Sequence, residues 1–192
     1  YTAGNSIYAG YIATEYYPIA PLLVNLGVRY EISKQWVDYY TDGGKAERSE
    51  LNKNDLFPSL NMKYQMNEKN SLRFAFSRTV TRPSFIEMAP FLYQESYGSA
   101  QIRGNADLQN GYNYNIDLRY ELFEKNGDML SITAYYKHLK APIERVQTLS
   151  GGSAVHSFRN ADNGMATGGG DRIPQRDSER PAFRRERLVY VH

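Results

Sequence analysis

A two-residue alternation of apolar and polar side chains is the feature that most constrains this chain. It runs through residues 22–31, 59–66, 71–77, 113–122 and 130–137. Helical spacing is weak almost everywhere, and a period of two is typical of a β-strand whose two faces meet different surroundings. The sequence therefore predicts an all-β protein of amphipathic strands, with a less regular first strand at residues 6–16.

The connections between these strands alternate between short and long. The short ones contain the Pro, Asn and Gly residues that tight turns require. They lie at 17–21, 67–70 and 124–128. The others exceed the ~12–15 residues usual for a structureless loop in a compact domain. They lie at 32–56, 78–111 and 138–157. A transmembrane β-barrel has short periplasmic turns on one rim and long extracellular loops on the other, so we predict an antiparallel, up-and-down sheet that forms part of such a barrel.

The apolar face of the strands is predicted to contact lipid. Its residues are Leu22, Val24, Leu26, Val28, Tyr30, Leu60, Met62, Tyr64, Leu72, Phe74, Phe76, Ile116, Leu118, Tyr120, Leu130 and Ile132. Tyrosines recur on this face near strand ends, where an aromatic ring in the apolar layer reaches the headgroups with its hydroxyl. The opposite face carries charges such as Arg29, Glu31 and Arg73, which suit a wet barrel interior better than a dry core.

A soluble β-sandwich is the alternative fold, because it also alternates apolar and polar faces. Such a protein would be a secreted or periplasmic carbohydrate-binding module that recognises glycans through exposed tyrosines. A sandwich buries its apolar face under a second sheet, where Val, Ile, Leu and Phe are favoured. The repeated tyrosines on the apolar face and the charges on the other face favour the barrel.

Composition excludes several classes of function. The longest apolar runs have three or four residues, whereas a membrane-spanning helix needs ~18–20. Lys and Arg number 23 against 21 Asp and Glu, so the chain lacks the basic excess of a nucleic-acid binder. It contains no Cys, and its three His follow no catalytic or metal-binding motif. We therefore predict no enzyme activity, no metal, no cofactor and no nucleic-acid partner.

Several segments resemble the barrel region of TonB-dependent outer-membrane receptors. The resemblance covers residues 6–168, and its most specific part is TVTRPSFIEMAPF followed by GNADL. These segments are similar to the Arg-Pro and Asn-x-x-Leu landmarks that many members carry on either side of a long extracellular loop. The matching residues here are Arg82, Pro83, Asn105 and Leu108.

This resemblance implies a barrel of about 22 strands around a plug, in the outer membrane of a Gram-negative bacterium. It implies import of a scarce ligand, such as an iron chelate, cobalamin or a glycan, energised by the inner-membrane TonB complex. The chain accounts for about six or seven of those strands, and the plug and the TonB-contacting region are expected upstream of Tyr1. Haem receptors of this family place a His between the two landmarks, but residues 83–104 contain none, so haem ligation is disfavoured.

The loop between the landmarks contains the candidate ligand contacts. They are Arg82, Glu87, Tyr93, Tyr97 and Arg103. Aromatic rings stack on ligands and arginine pairs with anionic oxygens, which is why these residue types are candidates. The interpretation we favour is structural, with Arg82, Pro83 and Glu87 fixing the path of the loop and the tyrosines covering it.

The pattern changes after Gly168. The two-residue period is lost, and residues 168–192 contain six Arg and two Pro. We expect a partial barrel over residues 1–168 and an unrelated tail over 169–192 that is disordered or read out of frame. A one-base shift near codons 168 and 169 permits Val-Glu-Ile-Glu-Phe-Arg-Lys-Glu, which restores the alternation. A natural basic tail is the alternative.

Overall fold

The structure is a computed structural model that describes residues 1–41, 43–94, 96–97, 100–124, 128–150, 153–172 and 184–191. Its elements, in chain order, are β1 (Thr2–Ile19), β2 (Leu22–Tyr40), β3 (Ala46–Gln65), β4 (Asn70–Thr81), α1 (Phe85–Met88), β5 (Leu92–Tyr93), β6 (Gln101–Arg103), β7 (Gly111–Phe123), β8 (Met129–Lys140), β9 (Ile143–Ser150), β10 (Ser153–Asn160), β11 (Asn163–Arg172) and β12 (Arg184–Val191). Across these described ranges, no helix is long and apolar enough to cross a membrane.

Most strands join one antiparallel sheet whose spatial order follows the chain. The order is β1-β2-β3-β4-β7-β8-β11-β12, which leaves β1 and β12 as its two edges. The remaining four strands form a second sheet in the order β5-β6-β10-β9, built from the two long connections. This arrangement confirms the predicted antiparallel, up-and-down topology.

The connections lie at two opposite ends of the large sheet. The links at 20–21 and 66–69 are tight turns at one end, while 82–110 and 141–162 are long excursions at the other. The prediction of a third long loop at 32–56 was wrong, because β2 and β3 stay paired as far as Tyr40 and Ala46. Beyond Ile32 the outward face also becomes polar, so the strands continue although their alternation disappears.

The two faces of the large sheet have opposite characters. Cross-strand pairs such as Leu26–Leu60 and Phe74–Leu118 place the predicted lipid-facing residues on one side, hereafter the apolar face. None of those residues is buried. The other side, hereafter the polar face, contains the buried polar residues. They are Glu31, Ser33, Gln35, Ser49, Asp55, Ser71, Glu121 and Ser131.

This distribution is the reverse of that in a water-soluble protein. A soluble sandwich would cover its apolar face with a second layer and leave its charges in water. Here Ile132 is 55% exposed on the apolar face, while Glu121 is 4% exposed on the polar one. The structure therefore argues against the sandwich alternative.

The tail after Gly168 lies partly outside the described residues, which omit 173–183 and 192. Residues 184–191 form β12, which pairs with β11. Gly169 and Asp171 pair with Ala134 and Ile132, so they take positions on the apolar face. The out-of-frame reading would place Val and Ile at these two positions. The boundary at residue 168, the frameshift and the disorder all stay predictions.

A pair of neighbouring labels can test which face meets lipid. Leu118 lies on the apolar face and Asp117 on the polar face. In a bilayer-embedded barrel, we expect a fluorophore at Leu118→Cys to be quenched by brominated lipid, and one at Asp117→Cys to be quenched by aqueous iodide instead. Equal responses at the two sites would contradict the assignment of the faces.

The isolated chain should aggregate rather than insert as a monomer. β1 is an edge strand, and each unmet backbone group at an edge costs several kcal/mol in hydrocarbon. Size-exclusion chromatography in detergent and heat-dependent electrophoretic mobility measure this outcome. A defined, heat-resistant monomer in bilayers would show that the open edges are tolerated.

Candidate functional site

Buried carboxylates on the polar face are each bound by arginine side chains. Glu31 accepts hydrogen bonds from Arg29 Nε at 2.6 Å and from Arg82 Nη2 at 2.5 Å. Arg29 lies on the same strand, whereas Arg82 follows β4, which is separated from β2 by β3. Charge-assisted hydrogen bonds of this kind are short and strong. They hold the start of the loop after β4 against the interior side of β2.

A second carboxylate cluster lies nearer the tight turns. Glu121 Oε2 accepts hydrogen bonds from Arg73 Nε and Ser71 Oγ, both at 2.9 Å. Arg119 Nε lies 3.0 Å from the other carboxylate oxygen. Like Glu31, this carboxylate therefore faces two guanidinium groups. Each of these two clusters has a formal charge of +1, so the polar face is not neutral where they lie.

A third cluster fills a fork in the sheet. The pairing between β3 and β4 ends at Ser59–Ser77, next to Pro58, which has no backbone N–H to donate. Arg78 lies at this point. Its Nη1 donates to the Leu56 carbonyl at 2.7 Å, and its guanidinium lies 4.4 Å from the centre of the Tyr112 ring. The guanidinium thus connects β4 to β3 where the two strands are no longer paired.

Several buried polar atoms near this fork have no hydrogen-bond partner within the protein. Asp55 Oδ1 accepts a hydrogen bond from the Tyr112 hydroxyl at 2.8 Å and lies 3.6 Å from Arg78 Nη2. Asp55 Oδ2, Arg78 Nε and both polar atoms of the Asn110 side chain are buried without a protein partner. Asn110 is 2% exposed. Buried polar groups of this kind are normally satisfied by ordered water or by another polar group.

The loop segment 82–110 contacts the polar face of the β2–β3 hairpin through residues 82–89 and Ala106. Val37 and Leu51 of the hairpin and Met88 and Ala89 of the segment form the hydrophobic core, with exposures between 0% and 5%. Gln35 Nε2 donates to the Pro83 carbonyl at 2.6 Å. Because these hairpin residues have odd numbers, like Glu31 and Ser33, the segment lies on the interior side of the sheet.

The landmark residues fix the two ends of this segment. Pro83 and Leu108 are fully buried. Asn105 donates from its backbone N–H to the Glu87 carbonyl at 2.6 Å, and from Nδ2 to the Phe158 carbonyl at 2.9 Å. Its Oδ1 accepts the backbone N–H of Asp107 at 2.9 Å. These contacts tie both ends of the segment to other parts of the chain. The structural interpretation of Arg82 and Pro83 stays a prediction.

The second long connection is joined to the first. β6 pairs in parallel with β10, opposite Val155–Ser157. Asn160 Oδ1 accepts the backbone N–H of Gln109 at 2.8 Å, and its Nδ2 donates to the carbonyls of Gln109 and Ala141, both at 2.9 Å. Ala141 itself has a φ of 51°, a conformation that is costly for a residue with a side chain. The described residues of 82–110 and 141–162 are thus joined to one another.

The five predicted ligand-contact residues differ in their exposure and in their contacts within the protein. Arg82 is bound to Glu31, and Glu87 accepts the backbone N–H of Ser84 at 2.7 Å as a helix cap. Tyr93 lies on β5, with its ring edge-on to Phe91 at 6.0 Å. Tyr97 and Arg103 are exposed. Ligand contact by any of these residues stays a prediction.

Sequence reasoning missed several residues that organise this region. Gln35, Asn110 and Asn160 are polar residues in polar surroundings of the sequence, so nothing distinguishes them from solvated positions. The contacts of Gln35 and Asn160 join residues about 50 positions apart. The available signal was a predominantly polar stretch, residues 33–54, beyond the alternating part of β2.

The hairpin that supports the segment has its own outward-facing ion pair. Arg48 donates to Asp38 from Nε at 2.5 Å and from Nη2 at 2.9 Å, and its guanidinium lies 5.0 Å from the centre of the Trp36 ring. These hydrogen bonds lower the pKa of the Asp38 carboxyl below its usual value. The group lies beyond the apolar band and is exposed, so the pair contributes little stability.

Metal binding has no support in the part of the chain that the structure describes. No group of three or more His, Asp or Glu side chains there is arranged to hold an ion. His138 instead has its ring 6.0 Å from that of Tyr114.

An open antiparallel sheet with an apolar outer face, a charged inner face and long connections at one end defines an outer-membrane β-barrel protein. Residues 2–170 match the family described as the outer membrane protein beta-barrel family. The chain belongs to this family, which confirms the predicted fold class and the location in the outer membrane of a Gram-negative bacterium.

Solved structures of three receptors show the same fold. The HasR hemophore receptor of Serratia marcescens has a TM-score of 0.65 at 12% identity, over 88% of this chain and 32% of that one. The siderophore receptor PirA of Pseudomonas aeruginosa has a TM-score of 0.60 at 16% identity, over 97% and 42%. The ferric enterobactin receptor PfeA of the same organism has a TM-score of 0.59 at 16% identity, over 100% and 36%.

The chain spans between 32% and 42% of the length of these receptors. No curated protein matches it. At such low identities, the likeness shows the fold.

Gly104 offers a test of how closely the segment is packed. A Cβ there would overlap the backbone oxygens of Ala89 and Ile86, whereas one at Gly43 would meet nothing within 4 Å. We expect Gly104→Ala to destabilise the segment by about 1–3 kcal/mol and to speed its cleavage by external chymotrypsin in outer-membrane vesicles. Gly43→Ala is the matched control, and equal cleavage rates for the two variants would contradict the packing described.

Proposed function

We propose that this chain forms part of the barrel of a TonB-dependent receptor that imports a scarce ligand across the outer membrane. The supporting observation is that 88–100% of the chain superposes on receptors for a hemophore, a siderophore and ferric enterobactin. Of the ligand classes considered, an iron chelate fits this set best. Haem ligation within the loop stays disfavoured, since residues 83–104 contain no His.

The polar face is consistent with a ligand path. Its carboxylates are held by arginines in fixed positions, and the Glu31 and Glu121 clusters each have one more cation than anions. A wall with fixed, positively charged clusters favours the passage of anionic rather than cationic ligands. Many chelates of ferric iron are anions, which agrees with the proposed class.

Energy for import would come through a partner. The proposal assigns coupling to the inner-membrane TonB complex, acting on a region of the receptor that this chain does not contain. Lipid is the other partner, along the apolar face. We infer that the protein is a transporter without catalytic activity, because the solved structures it resembles are receptors.

Uptake by cells tests the proposal. We expect deletion of the complete gene to abolish uptake of one member of a panel containing 55Fe-labelled enterobactin, 55Fe-labelled citrate, haem and labelled cobalamin. The same loss should follow inactivation of the TonB complex in the parent strain.

Restoration of uptake by a plasmid copy of the gene is the control. Unchanged uptake of every panel member would contradict the proposed import of these ligands. A loss of uptake that does not depend on the TonB complex would contradict the proposed coupling.

A further inference from the structure

We propose that the described part of the loop segment 82–110, which is residues 82–94, 96–97 and 100–110, is a fixed part of the interior wall at the extracellular mouth, and not a lid that opens and closes. In this proposal, Arg82 and Asn105 are positioning residues that hold the two ends of the segment. The relevance of this proposal to transport rests on the proposed function. The contacts from which it is argued do not depend on the identity of the ligand.

The first anchor lies where the chain leaves β4. Arg82 reaches across β3 and donates to Glu31 on β2, which also binds Arg29. One residue later, the Pro83 carbonyl accepts a hydrogen bond from Gln35. Both contacts go to the polar face of β2, so the segment is directed inward from its first residues.

The part of the segment that follows the first anchor is held by apolar contact. Met88 and Ala89 have no exposed surface, because they pack with Val37 and Leu51 of the β2–β3 hairpin and are flanked by Phe85. A lid movement would separate these groups and expose them to water, which is unfavourable. A binding loop that moves freely has few buried apolar contacts, and this one contains most of the buried core.

The second anchor lies at Asn105. Besides its bonds to Glu87 and Phe158, the adjacent Ala106 carbonyl accepts a hydrogen bond from Ser49 Oγ at 2.9 Å. Preceding it, Gly104 lies so close to the backbone of Ala89 that no side chain fits. Residues 82–89 and Ala106 are therefore tied to one hairpin.

The segment is also tied to residues 141–162 through the pairing of β6 with β10 and through Asn160. If either connection moved, it would carry the other with it. The ligand must then enter beside this joint body, and closure over a bound ligand must be achieved by other parts of the receptor.

Distance measurements between spin labels test the proposal in the complete receptor. The chain contains no Cys, so Lys34→Cys on β2 and Asp107→Cys at the end of the segment give two defined labelling sites once any other cysteines of the receptor are replaced by Ser. Both side chains are exposed. Pulsed dipolar spectroscopy in outer-membrane vesicles then gives the distribution of distances between them, without any ligand present.

We expect a single narrow distribution, which Arg82→Gln or Asn105→Ala should broaden or split and which Arg82→Lys should largely preserve. Arg103→Gln is the matched control, because Arg103 is an exposed arginine of the same segment. It should leave the distribution unchanged.

Two results would overturn the proposal. A broad or two-peaked distribution in the unmodified receptor would show a moving lid. An unchanged narrow distribution in both Arg82→Gln and Asn105→Ala would remove their positioning role. Because the measurement needs no ligand, it does not depend on whether the uptake assay succeeds.

Discussion

The structure depends on one constraint: a sheet whose outer face is apolar must gather its charged side chains on the opposite face, where partners of opposite charge can reach them. Glu31 and Glu121 show how this is done, since each buried carboxylate is surrounded by two guanidinium groups. In a soluble protein, burial of apolar side chains stabilises the core, and most ion pairs lie on the surface, where they contribute little stability. Here the ladder hydrogen bonds and these charge clusters hold the spanning strands, and the dry core at Val37 and Met88 lies above them.

This division explains why the interior charges are clustered rather than isolated. Removing one partner of a buried pair leaves the other charge uncompensated and is strongly destabilising. Glu31 also accepts a hydrogen bond from Arg29 on its own strand, so we expect the carboxylate to stay paired within β2 in an Arg82 variant. The contact with Arg82 can then serve to place the loop after β4, in addition to neutralising a charge.

The strands could be predicted from the sequence as far as the surroundings of their two faces differ. From Leu22 to Tyr30 one face is the apolar face and the other the polar face, and the alternation follows. Beyond Ile32 the outer face meets water and the inner face meets the loop segment, so polar residues such as Gln35 occupy positions that the structure buries. Local pattern cannot reveal such burial, because the covering residue Met88 lies 53 positions away.

The resemblance locates the Arg-Pro and Asn-x-x-Leu landmarks in the sequence, whereas their contacts are visible only in the structure. The Arg-Pro and Asn-x-x-Leu motifs mark the two ends of one loop, and sequence alone leaves open whether they touch ligand or shape the chain. Long loops lose more entropy when their ends are fixed, so strong contacts are most useful at the points where the loop departs and returns. Arg82 and Asn105 lie at those points, and each bonds to a distant part of the chain. Motifs that bracket a loop in this way can hold its position, and the exposed residues between them, such as Tyr97 and Arg103, remain available for other roles.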